Sequence, residues 1–158
     1  MNLITMENNI SKYITYTEAT KSDTAIKHSI KNIPNPTQLA AMKLVGTEIF
    51  DKIREHHNKP IGITSFFRIE ALNVKVGGSK TSQHCKGEAI DIDADIFNNG
   101  ITNKQIYDYI KANLDYDNLI NEFDYSWIHC SYVSKEKNRK ICLKASKVNG
   151  KTVYTKVT

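Results

Sequence analysis

The chain has 158 residues, 40% of them hydrophobic and 25% charged, which is the composition of one compact globular domain rather than a disordered chain. No apolar run approaches the roughly 18 residues that a membrane span needs, and the first residues lack the basic and apolar segments of a secretory signal, so we expect neither a membrane partner nor a signal peptide. The net charge of +5 belongs to the C-terminal part, because residues 135–158 carry eight Lys or Arg against one Glu. Such a tail can attract an anionic polymer, or it can be a solvated hairpin.

Residues 1–36 are polar and end in the breaker Ile33-Pro34-Asn35-Pro36, which predicts an N-terminal arm packed on the domain. A long amphipathic helix is predicted from Thr37 to the segment Asn58-Lys59-Pro60. Its apolar residues recur at three- and four-residue steps: Leu39, Met42, Val45, Ile49 and Ile53.

Residues 61–67 are β-branched and aromatic and predict a strand, with Arg68 at its end. A short helical turn is expected over residues 69–74, and the two adjacent glycines that follow predict a loop. Residues 89–95 alternate Ala or Ile with acidic residues, which predicts a strand with one polar face.

The second half of the chain predicts another helix over residues 102–114, with Thr102 and Gln105 forming a capping box. Four further strands are predicted over 119–123, 127–133, 141–145 and 151–157. Together these elements predict an α+β fold with a small, mostly antiparallel sheet and two main helices. We divide this single domain into the arm (1–36), a core (37–134) and a basic C-terminal β-hairpin (135–158).

Three residues could form a zinc site: His84 on a loop, Asp91 on the next strand and His129 on a later strand. A zinc hydrolase needs three protein ligands of His or carboxylate type and one open position for water. As residue types alone the set is not distinctive, because the chain contains many His and Asp combinations.

The spacing of the surrounding residues is more specific. Ser82, His84, Gly87, Ala89 and Asp91 form the pattern Ser-x-His-x-x-Gly-x-Ala-x-Asp. Other segments that belong with it are Tyr16-Thr17-Glu18-Ala19, Ile63-Thr64-Ser65-Phe66-Phe67-Arg68, Asn73, Val76-Gly77-Gly78 and Trp127-Ile128-His129. Together these motifs resemble the zinc peptidases of the D-alanyl-D-alanine carboxypeptidase family, and in particular its short, phage endolysin-like members, over about residues 13–133.

The resemblance implies that His84, Asp91 and His129 bind one zinc ion, in a cleft on the sheet. It also implies that Arg68 binds the substrate or stabilises its developing oxyanion, a role that suits a fixed guanidinium. Ser82 would shape the ligand loop on the substrate-binding side.

The position of the general base in the sequence departs from the family pattern. Many members carry Glu or Asp three residues before the last histidine, where this chain has Ser126. The nearby carboxylates are Glu122 and Asp124, and the segment Leu119-Ile120-Asn121-Glu122 is similar to the phage-type members. We therefore favour Glu122 as the catalytic base and keep Asp124 as the alternative.

The implied function is a zinc-dependent peptidase that hydrolyses peptidoglycan stem peptides or cross-links, as a carboxypeptidase or an endopeptidase. We expect a monomer that binds a peptide and not nucleic acid, since Tyr154 is the one aromatic residue among the C-terminal lysines. The protein would be made in the cytoplasm and would reach the bacterial wall after lysis, holin release or virion delivery. The alternative is a zinc-containing, non-catalytic wall-binding or virion structural module, because the acid is displaced from its usual position.

Two other kinds of site are excluded. A calcium-binding loop that began at Asp91 would need Gly at its sixth position and Glu at its twelfth, where Ile96 and Thr102 stand. Three cysteines at irregular spacing, Cys85, Cys130 and Cys142, are expected to be reduced thiols, and strand alternation turns Cys130 away from its neighbour His129.

Overall fold

The computed structural model describes residues 9–158, so the first eight residues of the predicted arm lie outside the described part. The α-helices are α1 (Tyr16–Thr20), α2 (Asp23–Lys27), α3 (Pro36–Val45), α4 (Asp51–His57), α5 (Glu70–Lys75) and α6 (Asn103–Asn113). The strands are β1 (Asn9–Ser11), β2 (Ile14–Thr15), β3 (Gly62–Ser65), β4 (Ala89–Asp93), β5 (Asn118–Glu122), β6 (Trp127–Ser131), β7 (Ile141–Val148) and β8 (Lys151–Lys156). A π-helical turn covers Gly46–Phe50, and 3₁₀ turns cover Gln83–Lys86 and Ala94–Ile96. The predicted α+β class is confirmed.

The long helix predicted after the arm is present, because α3, the π-helical turn and α4 follow one another without interruption. Asn35 begins it through a capping box with Gln38, and Pro36 stands in the first turn, where no backbone N–H is needed. The π-helical turn begins where the helix meets β1. A Cβ on Gly46 would lie 2.7 Å from the Ser11 Cβ, so a larger side chain would force the two elements apart.

Six strands form the main sheet, in the order β3-β4-β6-β5-β7-β8. Neighbouring strands are antiparallel except β5 and β7, which run parallel, so the expected mostly antiparallel sheet is confirmed. The register pairs His129 of β6 with Asp91 of β4 on one side and with Ile120 of β5 on the other. Because side chains alternate along a strand, these three residues lie on the same face of the sheet.

Several predicted strands end earlier or later than expected. The strand predicted over 89–95 ends at Asp93, because the Asp93 carboxylate accepts hydrogen bonds from the Asp95 N–H (3.0 Å) and the Asn103 amide (2.9 Å). These bonds turn the chain into the second 3₁₀ turn. In contrast, β7 continues to Val148, three residues beyond its predicted end, because it pairs with β8 over its second half.

The opposite face of the sheet packs against the helices. Ile90 and Ile92 of β4 and Ile128 of β6 are fully buried there, together with the apolar stripe of the long helix. Ile10, Ile14 and Ala19, from the segment before the long helix, belong to the same core cluster. Among the helices of residues 9–158, none has the length and apolar character needed to cross a membrane.

Candidate active site

The three predicted metal ligands come together on the exposed face of the sheet. His84 lies in the first 3₁₀ turn, Asp91 in β4 and His129 in β6, and one ligand atom of each lies within 4.8 Å of the others. Asp91 Oδ2 is 3.2 Å from His84 Nε2, and Asp91 Oδ1 is 3.0 Å from His129 Nδ1. Asp91 and His129 lie 38 positions apart in sequence, and within residues 9–158 these three residues are the group that could hold a metal ion.

The backbone fixes the orientation of His84. Its Nδ1 lies 2.6 Å from the carbonyl oxygen of Phe66, which can only accept, so Nδ1 carries the proton in the neutral ring. Nε2 then presents a lone pair to the carboxylate of Asp91. Two acceptors that face each other in a buried position need a cation or a proton between them, so the donor set fits a metal ion.

The charges of the group favour the ionised carboxylate. Burial alone would raise the pKa of Asp91, but His84 and His129 outweigh it and hold that pKa well below its usual range. The side chains of His84, Asp91 and His129 are 3%, 13% and 15% exposed, respectively. An anionic ligand with low exposure increases the affinity of the site for a divalent cation.

Two residues of the signature shape the turn that carries His84. The Ser82 hydroxyl accepts a hydrogen bond from the His84 N–H (3.3 Å), which caps the 3₁₀ turn. Gly87 ends the turn with a φ of +74°, and a Cβ at this position would lie 2.5 Å from the Gln38 carbonyl oxygen. Both the backbone angle and the contact with the long helix therefore require glycine.

Arg68 follows β3 and lines the same cleft. Burial lowers its pKa, while the charge of Asp91 opposes that change. Its Nε is buried and has no hydrogen-bond partner within the described chain. The guanidinium therefore retains an unused donor beside the ligand group.

The two candidate bases lie in different surroundings. Glu122, at the end of β5, is 6% exposed and pairs with Trp127, two residues before His129 on β6. Burial raises the pKa of Glu122 to about 7, in the range of an effective general base. Asp124 is exposed, in a turn in which three consecutive residues have positive φ. Geometry thus brings Glu122, and not Asp124, into the cleft.

The cleft has a volume of about 790 Å³. His84, Asp91, His129, Arg68, Ser82 and Glu122 all line it. Trp127, which shares the face of His129, forms part of the wall and contacts Phe123 with ring centroids 5.4 Å apart. The cleft is open and large enough for several residues of a peptide.

Some cleft residues were not predicted from the sequence to belong to the site. Arg139, Leu143, Lys147 and Tyr154 all come from the C-terminal segment and line the cleft. The alternation along β7 and β8 could have shown which residues share a face. Nothing in the sequence indicated that β7 pairs with β5 and so brings that face beside Glu122.

The cysteines take no part in the ligand group. Cys130 is fully buried on the core face, as strand alternation predicts, and burial raises the pKa of its thiol. All three cysteines are free of disulfides.

Comparison with known proteins gives one family. The family model described as Peptidase M15 matches residues 12–131, which include all three proposed ligands, Arg68 and Glu122. No curated protein matches the chain.

Proposed function

Because the chain belongs to the peptidase M15 family, a family of zinc-dependent peptidases, we propose that it hydrolyses peptide bonds in peptidoglycan stem peptides or cross-links. One observation carries the proposal: His84, Asp91 and His129 converge within 4.8 Å at an open cleft that also contains the buried carboxyl of Glu122. Donor atoms and a buried acid at the same cleft are the parts that a metal-dependent peptidase requires.

One zinc ion held by His84, Asp91 and His129 would supply Lewis acidity to the scissile carbonyl and to the attacking water. The carbonyl of Phe66 keeps His84 in the tautomer that leaves Nε2 available. Asp91 contributes the negative charge that balances part of the charge of the cation.

Glu122 is the proposed general base. It is a diagonal neighbour of His129 on the adjacent strand, at a separation of roughly 7 Å, close enough for a water molecule to lie between the two side chains. Its carboxylate would accept the proton of the attacking water and donate it to the leaving amine. A pKa of about 7 suits both steps, because the group can gain and lose a proton near neutral pH.

Arg68 and Ser82 are proposed to act on the substrate side of the cleft. The unused Nε donor of Arg68 would bind the carbonyl oxygen as negative charge develops on it. Ser82 would contribute by holding the turn in which His84 lies.

The direct test is mass spectrometry of purified peptidoglycan digested by the zinc-loaded protein, with a chelator-treated sample beside it. We expect new peptide fragments that depend on the metal, and the fragment masses identify the bond that is cut. If the zinc-loaded protein releases no fragment from any type of wall, the non-catalytic wall-binding module becomes the better account.

Variants test the assigned roles. Glu122→Gln should reduce kcat by about 10² to 10⁴-fold while zinc still binds, and Asp124→Asn, in the turn that follows β5, is the matched control, with near wild-type activity. His129→Ala should abolish both zinc binding and cleavage. Full activity of Glu122→Gln, or a large loss in Asp124→Asn, would contradict the choice of base.

A further inference from the structure

The β7–β8 hairpin forms one wall of the cleft. It lies outside residues 12–131, the part of the chain that matches the family. The parallel pairing of β5 with β7 places Ala145 beside Glu122, and β8 then places Tyr154 beside Ala145. One row of side chains thus runs across three strands, from Glu122 to Tyr154, on the face that bears the ligand group.

The middle of this row is a small side chain that its neighbours cover completely. Ala145 is fully buried and has a small side chain, whereas Tyr154 on the outer strand is 54% exposed and stands at the edge. Leu143, beside Ile120, adds an apolar surface next to it. The wall beside Glu122 therefore offers Leu143 and Tyr154 to a substrate group that extends beyond the bond that is cut.

A positive charge lies on the same wall of the cleft. Lys147 lines the cleft, one row beyond Ala145, and its ammonium donates to the Thr152 hydroxyl (3.0 Å) and lies 5.5 Å from the centre of the Phe123 ring. No carboxylate pairs with it among residues 9–158. The lysine is held in place while its charge remains available to a ligand.

Other cationic residues of the cleft are less suited to this role. Arg139 is engaged by the buried carboxylate of Asp117 through two hydrogen bonds of 2.8 and 2.7 Å. Lys86 is exposed, and its ammonium donates no hydrogen bond to a residue of the described chain. Apart from Arg68, which lies beside the ligand group, Lys147 is therefore the cation of the cleft that is both positioned and without a paired carboxylate in the described chain.

We propose that Lys147 and Tyr154 form a subsite for a carboxylate-bearing residue of the peptide substrate, next to the bond that is cut. The ammonium of Lys147 pairs with the carboxylate, and the Tyr154 hydroxyl donates to it from the same wall of the cleft. This inference rests on the proposed peptidase function and specifies its substrate class as acidic peptides that extend past Glu122 towards the hairpin.

The test compares two stem peptides that differ only in a carboxylate or its carboxamide at one residue. For the zinc-loaded wild type we expect a KM about three- to tenfold lower for the carboxylate peptide, with kcat unchanged, and a preference that decreases with salt. Lys147→Met should remove the preference and Lys147→Arg should retain it. Lys144→Met is the matched control, because Lys144 lies on the same strand but points to the other face.

A binding measurement separates this inference from the proposed function. Calorimetry with the zinc-loaded Glu122→Gln variant should show the preference for the carboxylate peptide in binding without turnover, and adding Lys147→Met should remove it. If neither peptide is cut but binding still prefers the carboxylate through Lys147, the peptidase assignment fails and the subsite stands. Cleavage without a preference, or a preference that Lys147→Met leaves intact, overturns the subsite and leaves the peptidase assignment; Lys86→Met then tests whether Lys86 carries the preference instead.

Discussion

Asp117 connects the C-terminal segment to the turn that carries His84. Its carboxylate is 1% exposed and accepts hydrogen bonds from Arg139 and from the Gln83 amide, the latter at 3.0 Å. The hydrogen bonds from Arg139 lower the pKa of Asp117 below its ordinary value of 3.8, although burial opposes the shift. Since Gln83 directly precedes His84, one buried carboxylate positions both the turn and the cleft wall.

Arg139→Met should lower the free energy of unfolding by about 1–3 kcal/mol at pH 7, because Asp117 loses its charged partner while it remains buried. A carboxyl whose pKa is lowered by folding stabilises the protein above its ordinary pKa, and that contribution is lost as the pH falls through the lowered pKa. The difference between variant and wild type should therefore be largest above pH 4 and shrink towards pH 2. Urea unfolding of the two proteins across this range measures it.

Lys137→Met is the control for that experiment, because it removes the same charge from the same loop without breaking an ion pair of the described chain. A loss of stability in Arg139→Met that is the same at pH 7 and pH 2 would show that Asp117 is not the partner that matters.

At the scale of elements, the first 3₁₀ turn is confined between β4 and the long helix. The turn ends at Gly87, whose φ is +74° and which touches the backbone of Gln38. Gly77 has the same φ of +74°, but nothing lies within 4 Å of the position that its Cβ would occupy. Substitutions at these two glycines therefore separate the effect of the backbone angle on stability from the effect of the contact with Gln38.

Gly77→Ala should lower the free energy of unfolding by about 1 kcal/mol through backbone strain alone. Gly87→Ala should cost about 2–4 kcal/mol, since the Cβ also displaces the turn from the helix, and it should weaken zinc binding because His84 moves with the turn. Thermal unfolding and zinc titration of both variants provide the measurement. Equal effects of the two substitutions on stability and on zinc affinity would contradict this account.

At the scale of the whole molecule, the ligand group joins elements that are distant in sequence. His84 and Asp91 are separated from His129 by α6 and β5, so the complete donor set exists in the folded chain alone. A ligand that binds the folded state and not the unfolded state stabilises the fold by mass action.

Zinc at 100 times its Kd should therefore raise the free energy of unfolding by about 2.7 kcal/mol, and a chelator should reverse the change. Differential scanning calorimetry of the wild type, with added zinc or with chelator, records the shift in Tm. His28→Ala replaces an exposed histidine and should respond as the wild type does, whereas His129→Ala should not respond. A zinc-induced shift of equal size in His129→Ala would place the bound ion elsewhere.

Most of the elements, and the residues that form the ligand group, could be predicted from the sequence. The long helix and α6 carry their own capping boxes and apolar stripes, which are local signals. His84 and Asp91 stand in one continuous signature with Ser82 and Gly87, so their relation to each other is also local. These features depend on residues that are close in sequence, where side-chain spacing and backbone conformation are coupled.

The different surroundings of Glu122 and Asp124, and the composition of the cleft wall, depend on the tertiary structure. The left-handed turn after β5 exposes Asp124 and leaves Glu122 buried, because the pairing of β5 with β6 determines which carboxyl shares the face of His129. The parallel pairing of β5 with β7 brings Lys147 to the cleft that contains Glu122, although the two residues are far apart in sequence. Strand order and register arise from packing across the whole sheet, and no local pattern of residues specifies them.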